Sequence, residues 1–253
     1  MNPALPPAPP LVILHRDTWL VAIDKPAGLL VHRSPLDRHE TRFAVQLLRD
    51  QIGRHVHPAH RLDRGTSGVL LFALERDVAR RLGEQFEAQA VDKTYLAVVR
   101  GHPPGHGRIE HALTRQHDAY EFLPPGHDSA AAQAAITEYR RLATAELPCR
   151  VDRYPTSRYA LLEVHPLTGR RHQIRRHLKH IAHPIIGDAT HGKGAHNRLF
   201  AERFGSRRLL LACTGLTLAH PVTGEMLTLR APLPADFTCV TDALGWRDAL
   251  PAG

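Results

Sequence analysis

Apolar residues in this chain gather in short alternating or continuous runs separated by turn residues, and in a few stretches they fall at helical spacing. Strands are predicted at 11–14 and 19–23, joined by the turn residues His15-Arg16-Asp17-Thr18. Lys25-Pro26-Ala27-Gly28 then breaks the second strand, and 29–32 resumes an extended path. The continuous run 69–74 has the length and side-chain type of a buried strand. Over 93–101 the pattern alternates, with Tyr95, Ala97 and Val99 on one face and Thr94, Leu96 and Val98 on the other. Further strands are expected at 135–142, 159–164, 209–212, 216–218 and 226–229. Helical spacing appears at 41–52, where Ala44, Leu47, Leu48 and Ile52 share a face. It recurs at 77–90, where Asp77 is placed to cap and Val78, Leu82 and Phe86 recur at intervals of four. A third helix opens after Thr168-Gly169, with Ile174, Leu178 and Ile181 as its apolar stripe. The stretch 191–207 reads as a basic loop with a short helix, and 237–250 as a last helix packing Leu244 and Trp246. Two stretches lack pattern. Residues 1–10 form a Pro-rich lead-in expected to be disordered, and 102–135 holds at most one or two short strands around a loop.

The 253 residues suffice for a substantial core, and 43% hydrophobic with 23% charged content is ordinary for a globular protein. The formal charge of +8 changes the picture, because it suits a polyanionic partner such as nucleic acid. Three cysteines, widely spaced and odd in number, argue against a disulfide framework or a thiolate zinc site. No apolar run is long enough to cross a bilayer, and the first residues lack a signal-peptide pattern. A cytoplasmic location and no membrane association are therefore expected.

Candidate chemistry concentrates in His60-Arg61-Leu62-Asp63-Arg64-Gly65-Thr66-Ser67-Gly68, directly ahead of the 69–74 run. Positive charge on both sides favours an ionised Asp63, and a loop entering a rigid strand suits a nucleophile or an electrostatic catalyst. For an arbitrary Arg-x-Asp-Arg, a surface ion pair capping a turn is the commoner fate. In the third helix Arg171, Arg175 and Lys179 form a basic stripe at intervals of four. Such like charges repel by a few tenths of a kcal/mol per pair unless phosphates, or the carboxylate of Asp63, answer them. His55, His57 and His60 raise the question of a metal, but no nearby cysteine or carboxylate pattern completes a site, so no metal is expected. The turn Arg153-Tyr154-Pro155-Thr156-Ser157-Arg158-Tyr159 offers two arginines and two tyrosines, fit for RNA contact or for a plain connection.

Taken whole, the nine-residue string resembles the catalytic motif of the RluA-type pseudouridine synthases, His-Arg-Leu-Asp-x-x-Thr-Ser-Gly. Three further blocks resemble the same family: Lys25-Pro26-x-Gly28, Lys93-x-Tyr95-x-Ala97-x-Val99-x-Gly101, and Thr168-Gly169-Arg170-x-His172-Gln173-Ile174-Arg175-x-His177. A fifth, His183-Pro184-Ile185-x-Gly187-Asp188, follows. The resemblance implies an α+β fold, a single catalytic domain over 11–253 with a mixed, mainly antiparallel sheet flanked by helices and loops. It implies isomerisation of uridine to pseudouridine in RNA without a cofactor, by a monomer lacking the small S4-type RNA-binding domain of some relatives. The roles it implies are Asp63 as catalytic carboxylate, Tyr95 as the group that removes the C5 proton, and Arg175 as the partner of Asp63. Arg61 would fill the space of the everted base, Ile186 would wall the uracil pocket, and Arg171 and Lys179 would meet phosphate. The runs 31–38, Ala59-His60 and 153–159 resemble the tRNA-acting branch, which implies uridine 65 of tRNA as target. Ribosomal RNA is the alternative substrate, and a non-catalytic RNA-binding protein or a histidine-rich metal hydrolase the alternative classes. Gly65 stands where that branch has proline, which suggests a freer loop after Asp63.

Overall fold

The computed structural model describes residues 9–33, 40–114 and 131–251. The lead-in up to Ala8, most of the 31–38 run and the 115–130 portion of the unpatterned stretch lie outside the described residues. The chain begins with strands β1 (Val12–Arg16) and β2 (Leu20–Lys25), then helix α1 (Ala44–Ile52). Strands β3 (His57–Pro58) and β4 (Ser67–Ala73) precede helix α2 (Arg76–Glu87). Strands β5 (Asp92–Arg100), β6 (His106–Glu110), β7 (Leu113–Thr114), β8 (Ala132–Gln133), β9 (Ile136–Leu147) and β10 (Ser157–Pro166) follow. Helices α3 (Gln173–His180) and α4 (Gly194–Phe204) lead to β11 (Leu211–Ala219), β12 (Met226–Arg230) and α5 (Ala235–Ala243). A 3-10 turn at Arg247–Ala249 ends the described elements.

The main sheet runs β1-β2-β4-β11-β5-β10-β9-β6, with β12 added to β11 and β3 to β4, while β7 and β8 pair separately. Its ladders are antiparallel except where β11 lies parallel to β4. This is the mixed, mainly antiparallel α+β arrangement. Alternate residues of the central strands go to opposite faces. Tyr95, Ala97 and Val99 join the larger core cluster, with Val78 and Leu82 of α2 and Leu178 of α3. Leu96 and Val98 join a second cluster with Phe200 of α4 and Phe237 of α5. All seven residues of β4 are buried, as a continuous apolar run predicts. Burying a Val, Leu or Phe side chain of this kind contributes about 1.5–3 kcal/mol.

Several boundaries moved for local reasons. The first helix starts at Ala44 because Phe43 is held extended by a bridge to Leu30. The second starts at Arg76 behind an extended Glu75, so Asp77 sits in the first turn, where it favours the helix dipole without capping. The expected strands 209–212 and 216–218 are one strand, β11, with an irregularity between Cys213 and Gly215. The last helix ends at Ala243; Trp246 lies beyond it, its Nε1 donating to the Thr144 carbonyl at 3.1 Å. No helix of the described residues is long and apolar enough to cross a membrane.

Candidate active site

The register of β11 places the site. Cys213 has Gly68 of β4 as its partner on one side and Tyr95 of β5 on the other. The loop that ends at β4 is thereby brought next to Tyr95, although the two are far apart along the chain. Gly68 permits this approach: its φ is +106°, and a Cβ there would land on the Cys213 carbonyl.

Asp63 lies in that loop, its carbonyl accepting the Thr66 N–H at 3.0 Å in a tight turn. The loop is pinned from below by Lys25. This fully buried side chain donates from Nζ to the carbonyls of Pro26, Leu29 and Arg64 at 2.9, 2.7 and 3.2 Å. Burial pulls the Lys25 ammonium down to about 7, while the Asp63 charge opposes the shift. The Gly28 N–H also donates to the Arg64 carbonyl, at 2.8 Å. At Gly65, where the pattern has proline, a Cβ would meet the Leu209 Cβ at 3.1 Å, so the backbone is packed close.

Arg175 reaches Asp63 from α3. Its Nη1 donates to Asp63 Oδ2 at 3.0 Å, joining residues 112 apart in sequence. Its other two nitrogens go to Asp188, Nε to Oδ2 at 2.7 Å and Nη2 to Oδ1 at 2.8 Å. Asp188 Oδ1 further accepts the N–H groups of Thr190 and His191 at 2.9 and 2.8 Å. Burial works to raise the Asp188 carboxyl, but the Arg175 and backbone hydrogen bonds outweigh it and hold it below the usual range. Burial likewise opposes the charge on Arg175, and the two carboxylates more than compensate.

Tyr95 and Asp63 line one cavity of about 600 Å³, together with Arg61, Arg171, His172 and Arg175. That volume suits a nucleoside-sized ligand. Burial pushes the Tyr95 phenol well above its ordinary value, and the Cys213 thiol and the Asp63 carboxylate push it the same way. An environment easing its ionisation, which proton removal by Tyr95 called for, is not what surrounds the phenol here. Cys213 is itself raised to about 12 by burial.

The remaining sequence candidates divide. Arg61 is exposed at the cavity, and Arg171 lines it from the turn ahead of α3. The basic stripe is not continuous along α3, because Arg175 is buried against Asp63 and Asp188 and Arg171 lies outside the helix. Lys179 is exposed in the last turn of α3 and is not among the cavity-lining residues. Ile186 does not wall the pocket. It is buried in the second core cluster with Leu96 and Val98, the residues of β5 that alternate away from Tyr95. Tyr159 is also interior, its hydroxyl 2.8 Å from His196 Nδ1. His60 turns its Nε2 to the Leu71 N–H at 3.1 Å and stacks on Phe86, so that nitrogen is committed to the fold.

Asp188, Lys25 and His172 escaped the sequence reading. Each sits inside a quoted block, but a lone carboxylate after a Gly turn or a lone lysine before a Pro carries no sign of which distant group it meets.

Comparison with known proteins points to one family. Residues 19–180 match the family described as RNA pseudouridylate synthase. A protein of Pectobacterium carotovorum subsp. carotovorum named tRNA pseudouridine synthase C is 51% identical over 95% of this chain, which spans 64% of that longer protein. One of the same name from Vibrio cholerae is 47% identical, over 95% of this chain and 98% of its own. The solved structure of human RNA Pseudouridylate Synthase Domain Containing 1 superposes with a TM-score of 0.68 at 25% identity, covering 93% of this chain and 90% of that one. The chain belongs to the RNA pseudouridylate synthase family, whose members are isomerases.

Proposed function

We propose that this protein is a cytoplasmic tRNA pseudouridine synthase that acts as a monomer on uridine 65, with Asp63 as the catalytic carboxylate. The observation that carries the reading is the Asp63–Arg175 contact at 3.0 Å, in one cavity with Tyr95. The names of the relatives support tRNA as substrate, and the excess positive charge suits it. In the reaction the N1–C1′ bond of the uridine breaks, the base turns, and C1′ bonds to C5. The C5 proton leaves and N1 ends protonated, so nothing is oxidised and no cofactor is called for. Asp63 faces the ribose and base as nucleophile or charge stabiliser, oriented by Arg175. Tyr95 sits against the base and takes the C5 proton. Its raised phenol then implies that the bound substrate, or movement of Asp63, must lower the cost of ionisation during turnover. The target base leaves its stack at a cost of about a few kcal/mol, and Arg61 fills the gap. Arg171 at the cavity and Lys179 further along α3 meet phosphates, which makes affinity salt-dependent.

The test has two parts. Asp63→Asn should bind tRNA with near-native affinity and form no pseudouridine; normal turnover would end the catalytic assignment. Mapping pseudouridine in tRNA and ribosomal RNA from a strain lacking the protein should show loss at tRNA position 65 alone. Loss in ribosomal RNA instead would transfer the same chemistry to that substrate.

A further inference from the structure

His172 stands between α3 and Asp63 in a conformation its residue type rarely adopts. It is the residue preceding α3, with φ 54° and ψ 25°, the left-handed region. A β-carbon is disfavoured there by its closeness to the following carbonyl oxygen. The turn swings its ring into the cavity, where Nε2 lies 3.9 Å from Asp63 Oδ2. That is the same oxygen that accepts Arg175 Nη1. On the other side of the ring, Nδ1 lies 3.0 Å from His191 Nε2. The backbone N–H of His191 is in turn held by Asp188 Oδ1, and Asp188 grips Arg175. The contacts therefore close a circuit: Asp63, Arg175, Asp188, His191, His172 and back to Asp63.

One proton decides what this circuit does. Burial lowers both imidazoles, His172 to about 4, so both are neutral near pH 7 and share a single hydrogen between His172 Nδ1 and His191 Nε2. If His172 donated it, its bare Nε2 lone pair would face the Asp63 carboxylate, which is repulsive. If His191 donates, His172 carries its own proton on Nε2 and points it at Asp63. The second arrangement is the favourable one.

We propose that His172 is a positioning residue for Asp63, presenting an Nε2–H to Oδ2 in a tautomer fixed by His191. Arg175 then holds the oxygen by a hydrogen bond at 3.0 Å, while the His172 N–H, at 3.9 Å, acts on the same oxygen as a longer dipole contact, and the two together set how the carboxylate meets the ribose. The proposal rests on the reading of Asp63 as catalytic.

Two substitutions separate this role from a structural one. His172→Gly removes the donor at a position whose positive φ glycine accepts, whereas His172→Gln places an amide N–H where the ring Nε2 lay. With tRNA as substrate, His172→Gly should lower kcat at least tenfold while KM stays within about twofold. His172→Gln should recover most of that loss, and His191→Leu should fall between them. A positioning role predicts this rescue; simple loss of packing does not, and a direct grip on RNA would appear in KM. Wild-type kcat in His172→Gly, equal kcat in the Gly and Gln variants, or an effect confined to KM would each overturn the proposal. Asp63→Asn, assayed in parallel, tells the two readings apart. If it is active, both fall; if it is inactive while His172→Gly is fully active, only this one does.

Discussion

Arg175 gives two of its three guanidinium nitrogens to Asp188 and one to Asp63. The residue expected from the sequence to serve one carboxylate is thus anchored by another, and the fully buried side chain of Asp188 is the fixed point of the site. A bidentate pair of this kind sets direction as well as charge. It leaves Nη1 aimed at Asp63 with little freedom.

Asp188→Asn should consequently damage both the fold and the chemistry. Removing one partner of a buried pair costs about 3–5 kcal/mol, because the other charge is stranded. Urea unfolding should register that loss, and pseudouridine formation should drop at least tenfold. Native stability together with native activity would show that Asp188 does not hold Arg175 in solution.

Lys25→Met should destabilise by about 2 kcal/mol or more, since the Pro26 and Leu29 carbonyls lose their donor, the Arg64 carbonyl keeping the Gly28 N–H, and each unsatisfied buried group costs about 1–3 kcal/mol. The pH dependence supplies a signature. The folded lysine titrates near 7 against an ordinary 10.5, so between those values the unfolded chain binds a proton that the folded chain does not. Stability contributed through this group therefore rises with pH over that window. The gap in unfolding free energy between wild type and Lys25→Met should widen from pH 7 to pH 9. A constant gap would mean that Lys25 keeps its charge in the fold.

Acid should weaken the protein through its histidines. His60 and His172 are lowered to about 4 from 6.5, chiefly by burial. Between those values the unfolded state takes up protons that the folded state refuses, so stability falls as pH drops from 6.5 toward 4. Tm measured in steps from pH 7 to pH 4.5 should decline continuously. A flat Tm across that range would contradict the burial of these rings.

Gly68→Ala should be among the most damaging single changes. The added methyl meets the Cys213 carbonyl in a backbone conformation that also disfavours alanine. It would push β4 from β11 and separate the Asp63 loop from Tyr95. Poor soluble yield or a Tm loss well beyond that of Gly83→Ala, where the structure leaves room for a Cβ, is the expected result. Equal behaviour of the two variants would refute the close approach.

Much of this protein was set by its order of residues. Local pattern suffices for β4, whose apolar run from Val69 onward is buried along its length, and for the alternation of β5, where Tyr95 faces one core cluster and Leu96 the other. Period alone assigns such faces, because neighbouring side chains on a strand must diverge. The motifs likewise carried Asp63, Tyr95 and Arg175. What period and motif do not contain is which distant group answers a given charge. The lone Asp188, the buried Lys25, the inward turn of His172 and the removal of Ile186 to the opposite face all depend on how β11 slots between β4 and β5. That is a long-range register, fixed by packing and a glycine contact across the sheet, and only the folded chain contains it.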